Sequence, residues 1–230
     1  LVIDELHSYD VYMSEILHRL LEWCKDLEIP VVLLSATLPP EKKMQMLSAY
    51  TTDQIPSCYP SVTAITETGN VVVRPVGRTE KRQTVSVTLF PILHQTKEIA
   101  ARAMELGKNG GCICILLNTV QQAQEVFQAI KKDGFDGELL LFHARFPAQQ
   151  RDEIEQRCIR LFGKEKSERP KKAILVATQV VEQSLDVDFD VMMTAIAPID
   201  LLLQRLGREF RHEDTPRPSH FSAPHLYVLI

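Results

Sequence analysis

The feature that most limits what this chain can fold into is an alternation. Apolar runs of about five residues are separated by stretches in which apolar residues return at helical spacing, the pattern of a parallel sheet covered by helices. The runs read as strands are Leu1–Ile3, Val31–Leu34, Thr84–Phe90, Cys112–Leu117, Glu138–Phe142, Ala173–Val176, Val191–Ala195 and Leu226–Ile230. Helices are predicted over Val11–Lys25, Glu41–Tyr50, Thr96–Leu106, Val120–Lys132, Pro147–Phe162 and Ile199–Leu206. In the first of these, Ile16, Leu17, Leu20, Leu21 and Trp23 form the apolar face, with Glu15, Arg19 and Glu22 left for solvent.

The alternation breaks over residues 51–83, where Pro56, Pro60, Gly69, Pro75 and Gly77 interrupt it and Arg74, Arg78, Lys81 and Arg82 charge it. That stretch holds the expected domain boundary: residues 1–75 form one unit, 76–83 a linker and 84–230 a second unit. At ~100–200 residues per domain, 230 residues allow one large domain or two small ones. A second polar stretch, Gly163–Lys172, reads as a solvated loop.

A composition that is 45% hydrophobic and 24% charged excludes collagen-like, coiled-coil and wholly disordered chains. No window approaches the ~18 consecutive apolar residues of a membrane helix, and residues 1–20 lack the features of a secretory signal, so the chain reads as soluble and cytoplasmic. The net charge of −4 provides no bulk positive field, and contacts with nucleic acid must come from local groups. Five cysteines without a C-x-x-C pair suit reduced thiols. Cys112 and Cys114, two apart, face one side of a strand as core filler. The chain opens in mid-strand at Leu1, without an initiator methionine, which suggests a cut chain.

In open α/β sheets, ligands bind beyond the carboxyl ends of the strands. Four such ends carry chemistry. After Leu1–Ile3 comes Asp4-Glu5-Leu6-His7: an Asp there can hold hydrated Mg²⁺ and the adjacent Glu can polarise an attacking water, although Asp-Glu also opens helices well. After Val31–Leu34 come Ser35 and Thr37, hydroxyls that can reach laterally to neighbouring carboxylates, or simply cap the next helix. After Ile174–Val176, the run Thr178 to Asp186 offers hydroxyl, amide and carboxylate groups, with Glu182 and Asp186 placed to order the loop or touch a ligand. Last, Arg205, Arg208 and Arg211 recur every three residues, roughly on one helix face, as arginine fingers or as a solvated basic face.

Taken in order, Asp-Glu-x-His, Ser-Ala-Thr and Gln204-Arg205-x-Gly207-Arg208-x-x-Arg211 resemble motifs II, III and VI of superfamily 2 helicases. Further runs resemble, more narrowly, the helicase part of the CRISPR-associated helicase–nuclease of type I systems. These are Ile3–Asp10, Leu117–Gln124, Phe142–Phe146, Ala177–Asp190 and Ala197–Arg205. The resemblance implies an α/β fold of RecA-like parallel sheets with helices on both faces, a partial first lobe followed by the second helicase lobe.

The resemblance also implies roles. Asp4 would hold Mg²⁺ through water and Glu5 would activate the attacking water, with His7 in the same catalytic group. Arg208 and Arg211 would reach the γ-phosphate of ATP, with Gln204, Arg205 and Asp186 also at the nucleotide. Ser35 and Thr37 would couple the lobes, and Asn118, Thr119, His143, Arg145, Thr178 and Gln179 would track single-stranded DNA opened by a crRNA-guided surveillance complex. Two departures from the family pattern stand out. Glu209-Phe210 lies between the arginines, where the carboxylate can partly neutralise Arg208. No G-x-x-x-x-G-K-[ST] phosphate loop occurs, since Gly107-Lys108-Asn109-Gly110-Gly111 has neither the spacing nor the hydroxyl, and no adjacent His-Asp pair marks a nuclease site. The expectation is a helicase fragment without ATPase activity of its own. Another DExH helicase acting on DNA or RNA, or a non-catalytic nucleic-acid-binding module, is the alternative.

Overall fold

In the computed structural model, residues 1–6, 9, 11–36, 38–56, 58–77, 84–182 and 185–230 are described. The sequence-selected His7 and Thr37, and most of the expected linker, lie outside the described residues. The chain divides into two compact units, Leu1–Arg82 and Gln83–Ile230.

In the first unit, β1 (Val2–Ile3) pairs in parallel with β2 (Val32–Leu33). Helices α1 (Val11–Asp26) and α2 (Pro40–Leu47) follow them, and β3 (Ser61–Ile65) and β4 (Val71–Pro75) form an antiparallel hairpin. The hairpin accounts for the broken pattern of residues 51–83: β-branched residues alternate on a two-stranded ribbon, and Gly69, at φ +79°, makes its turn. Lys43 of α2 donates to Thr63 Oγ1 on β3 at 2.7 Å.

Helix α1 corrects the expected face. Its buried stripe is Ser14, Leu17, Leu21 and Cys24, whereas Ile16, Leu20 and Trp23 are exposed. The i, i+3, i+7, i+10 spacing of the buried set is a single narrow ridge against Ile3, Leu6 and Met46, and a ridge cannot also bury residues a quarter-turn away.

The second unit is a six-stranded, all-parallel sheet in the order β5-β10-β9-β6-β8-β7. Its strands are β5 (Ser86–Phe90), β6 (Gly111–Leu116), β7 (Glu138–Phe142), β8 (Lys172–Ala177), β9 (Val191–Ala195) and β10 (His225–Leu229). Helices α3 (Thr96–Leu106) and α4 (Val120–Lys132) cover one face; α5 (Ala148–Phe162) and α6 (Ile199–Leu206) cover the other. Every residue of β6 is buried because a central strand has helices on both sides. Its period of two sends Cys112, Cys114 and Leu116 to the α5 side and Ile113 and Ile115 to the α3–α4 side, as expected for the cysteines. Burial pushes the Cys112 and Cys158 thiols up to about 12, which keeps both as inert core filler.

Local chemistry sets the element ends. Thr119 caps α4 by accepting the Gln122 N–H at 3.2 Å, and Lys131 and Lys132 sit at its carboxyl end, where cations suit the dipole. Gly111, at φ +108°, opens β6 against Phe221, where a Cβ would stand 2.4 Å from the ring. The glycine-rich stretch Gly107–Gly111 is therefore a helix exit leading into a buried strand. Helix α6 ends at Leu206, so Arg208 and Arg211 lie beyond it and do not share a helix face with Arg205.

Candidate functional site

In the first unit, pairing of β1 with β2 brings two strand ends side by side. Leu34 N–H donates to Ile3 O at 2.8 Å, and Leu6 N–H donates to Leu34 O at 3.1 Å. Asp4-Glu5 and Ser35 thus leave the sheet as neighbours. Asp4 is exposed and accepts the Glu5 N–H at 2.8 Å, with Glu5 at φ +55°, a left-handed kink directly after the carboxylate.

In the second unit, three sequence-selected groups leave three adjacent strands at their carboxyl ends: Asn118-Thr119 after β6, Thr178-Gln179 after β8 and His143–Arg145 after β7. Leu117 N–H donates to Ala177 O at 2.9 Å and Thr178 N–H to Phe142 O at 3.1 Å, so these loops start level with each other. Asn118, Thr119, Arg145 and Gln179 are exposed. Asn118 Nδ2 donates to Ile196 O at 3.0 Å, tying its loop to the end of β9.

His143 and Thr178 differ, being 3% and 1% exposed. His143 stacks on Phe146 with ring centroids 4.2 Å apart, and its Nε2 lies 3.3 Å from Gln124 Nε2. Burial, joined by the nearby Arg145 cation, lowers its pKa against the pull of a backbone hydrogen bond and favours the neutral ring. His143 shapes the loop that presents Arg145.

The arginines converge although they do not share a helix. Arg205 Nε donates to Glu182 Oε1 at 2.6 Å, Arg208 Nη2 to Glu182 O at 2.8 Å and Arg211 Nε to Asp186 Oδ1 at 2.6 Å. All three address the loop that follows β8, downstream of Thr178-Gln179. Their exposures differ. Arg205, expected at the nucleotide, is 3% exposed and also donates to Thr194 Oγ1 at 2.7 Å and Ala195 O at 2.8 Å. It is an interior tie between α6, β9 and the loop. Arg208 is half-buried, and Arg211 is exposed. Gln204 is half-buried at the end of α6.

Asp186 receives Arg211 and, at 3.0 Å, His212 Nε2. Burial alone would raise its pKa, but the hydrogen bonds from His212 and Arg211 outweigh that and hold the carboxyl below its ordinary range. Glu209 turns inward: 4% exposed, it accepts the N–H of His225 at the start of β10. Burial pushes its carboxyl up to about 7, with the Arg217 cation pulling the other way.

Sequence reading missed four residues that organise this region. Asp188 and Asp190 are 0% and 1% exposed, and they meet Arg217 and Arg169. Asp190 accepts Cys112 N–H at 2.7 Å and Arg169 at 2.9 Å, while Asp188 accepts Thr215 Oγ1 at 2.6 Å. Lys166 lies 3.7 Å from Asp188. The Gly163–Lys172 stretch is therefore no simple solvated loop, since two of its cations close a buried ion network. The available signal was the alternation Asp186-x-Asp188-x-Asp190 just before an apolar strand, where inward-facing carboxylates require cations.

A family model described as "CRISPR-associated nuclease/helicase Cas3, C-terminal" matches residues 109–214. The chain is 35% identical to the CRISPR-associated nuclease/helicase Cas3 of Streptococcus thermophilus, a match covering 100% of this chain and 25% of that protein. It superposes on T. fusca Cas3 solved with ATP at a TM-score of 0.88 and 36% identity, covering 99% of this chain and 29% of that one. A structure described as a CRISPR RNA-guided surveillance complex, pre-nicking, contains a chain matched at a TM-score of 0.83 and 35% identity, covering 99% of this chain and 31% of that one. The chain thus spans about a quarter of the length of its curated relative. Matched along its whole length in sequence and in fold, the chain is similar to part of the CRISPR-associated nuclease/helicase Cas3 proteins.

Proposed function

We propose that these residues are the part of an ATP-driven helicase, translocating on single-stranded DNA in type I CRISPR defence, that carries the Mg²⁺ carboxylate, the water-activating glutamate and the arginine segment. The observation that carries this reading is the convergence of Arg205, Arg208 and Arg211 on the loop that begins at Thr178-Gln179. One end of that loop lies beside the exposed polar groups of two other strand ends, and the other holds the cations suited to a γ-phosphate. Similarity to a Cas3 chain solved with ATP supports ATP as cofactor, and similarity to a chain of a surveillance complex supports that complex as a partner. The exposed polar groups at the three strand ends support single-stranded DNA as the other partner. The cytoplasm of a prokaryote is the matching compartment.

The donor set fits the cofactor. Among the described residues no group of three or more His, Cys, Asp or Glu side chains converges as a metal cage. A single exposed carboxylate at Asp4 suits Mg²⁺, which keeps several waters and takes its remaining oxygens from phosphates. When bound, the ion supplies charge neutralisation at the β- and γ-phosphates. Glu5 orients the attacking water, Ser35 reports on the neighbouring strand end, and Arg211 exchanges the Asp186 carboxylate, and Arg208 the Glu182 carbonyl, for phosphate oxygens. Arg205 holds the loop and α6 in place without touching the nucleotide. Asn118, Thr119, Arg145 and Gln179 bind the strand through phosphates, independent of sequence, with Thr178 and His143 as the buried base of that edge.

The test uses the full-length parent. Arg211→Ala and Glu5→Gln should each reduce DNA-stimulated ATP hydrolysis by ~10³-fold or more, the scale of an arginine finger. The 230-residue chain alone, which contains no phosphate loop, should show no turnover. Unwinding of RNA as good as that of DNA would favour another DExH helicase. Full hydrolysis in Arg211→Ala would refute the reading.

A further inference from the structure

We propose that Arg217 is a positioning residue for Arg211, locking the segment Arg208–His212 onto the Asp188–Asp190 stretch without itself meeting the nucleotide. The inference rests on the helicase reading above and deepens it.

Arg217 touches both sides of the junction. On one side its Nη2 donates to both carboxylate oxygens of Asp188 at 2.7 Å, and its Nη1 donates to Asp190 Oδ1 at 2.5 Å and to Phe189 O at 3.0 Å. On the other side its guanidinium lies 4.1 Å over the Phe210 ring, and Nη2 reaches His212 O at 3.3 Å. One planar, permanently charged fork thus spans two segments about twenty residues apart in sequence.

The segment it holds runs alongside the aspartates. Phe189 N–H donates to Arg208 O at 2.9 Å, Phe210 N–H donates to Phe189 O at 3.1 Å, and Phe189 and Glu209 form a parallel bridge. Asp188 Oδ1 then accepts the Arg211 N–H at 2.9 Å, which fixes where the Arg211 side chain departs. Phe210 sits at φ +51°, a left-handed backbone that a bulky residue adopts only where its surroundings impose it. The Arg217 guanidinium over the ring and the hydrogen bonds on either side are that imposition. Among the described residues, Arg211's own side chain donates to the exposed Asp186 and to the Gly207 carbonyl, so its aim depends on the backbone beneath it.

A positioning role predicts loss of transition-state binding with ground-state binding retained. In the full-length parent, Arg217→Lys keeps the charge inside the network but loses the fork. It should lower kcat for DNA-stimulated ATP hydrolysis at least tenfold, with KM for ATP within twofold of the parent. Affinity for ADP–aluminium fluoride should drop at least tenfold while affinity for ADP is unchanged. Phe210→Leu leaves every ion pair in place and removes the ring under the guanidinium. It is the second variant should Arg217→Lys fail to fold by circular dichroism, and it should show the same split. Wild-type kcat and analogue affinity in the folded variants would overturn the proposal, as would equal weakening of ADP and its fluoride complex, the sign of a merely structural role. Absence of hydrolysis in the unmodified parent, or full hydrolysis in Arg211→Ala, would instead refute the helicase reading on which the proposal stands.

Discussion

Removing Arg205 while leaving Glu182 tests whether the arginine segment is anchored by a buried ion pair. The two side chains are 3% and 9% exposed, and Nε and Oε1 stand 2.6 Å apart. At an effective dielectric of ~20 the attraction at this separation is roughly 6 kcal/mol, most of it opposed by the desolvation of both charges. The net value of the pair is therefore small, but the cost of orphaning one member is not. Arg205→Met strands a carboxylate and also takes donors from Thr194 Oγ1 and Ala195 O, so the expected destabilisation is ~3–5 kcal/mol. In urea unfolding followed by far-UV circular dichroism, with a slope of about 2 kcal/mol per molar, the midpoint should drop by roughly 2 M. The double variant Arg205→Met/Glu182→Leu should regain at least half of that, because an apolar pair removes both desolvation penalties. A midpoint shift below ~0.5 M in the single variant, or a double variant as unstable as the single one, would refute the reasoning.

Four more outcomes follow from the geometry. Glu209 has a folded pKa of about 7 against an ordinary 4.5, so the folded state binds the extra proton. Its contribution is complete below the unfolded pKa and is lost as pH rises through 7, at up to ~1.4 kcal/mol per pH unit; Glu209→Gln should flatten that part of a stability-versus-pH curve. Asp186 and Asp188 act in the opposite sense: their lowered pKa values stabilise the fold above the ordinary carboxylate range, and melting temperature should fall in acid less steeply in Asp186→Asn. Thr119→Ala removes the α4 cap and should cost ~1 kcal/mol in the same urea assay, with Thr119→Ser restoring most of it. Of the five thiols, Cys58 alone is not buried, so a disulfide-exchange reagent at pH 8 should titrate one per native chain and five in denaturant.

The sheet strands and their helices were legible because the signals are local. β6 and β9 announce themselves as apolar runs, and α4 as the 123, 126, 130 stripe behind a threonine cap. Where a signal was shared between readings, the sequence misled. Trp23 and Leu20 look like core in a helical wheel, yet the packing partner of α1 is narrow and leaves them outside. Residues 61–65 and 71–75 form a hairpin whose short β-branched strands were masked by the prolines, glycines and charges around them. At the candidate site, the selection of Asp4, Glu5, Arg208 and Arg211 rested on residue type and order, which survive as pattern. That Arg205 is interior, that His143 is buried and that Glu209 turns inward depends on which neighbours crowd each position, and no spacing rule encodes that.

By itself the sequence determined the α/β alternation, the residue types at each strand end and the placement of Cys112 and Cys114 in the core, because each depends on periods of two and 3.6 along a single segment. Only the tertiary structure decided that three arginines beyond and within one helix end on a single loop. Only it decided that Asp188 and Asp190 are paired by Arg217 and Arg169, residues contributed by a later segment and by what had looked like a solvated loop. The reason is physical: a buried carboxylate must have a cation, but Coulomb attraction specifies a distance in space and leaves the position in sequence free.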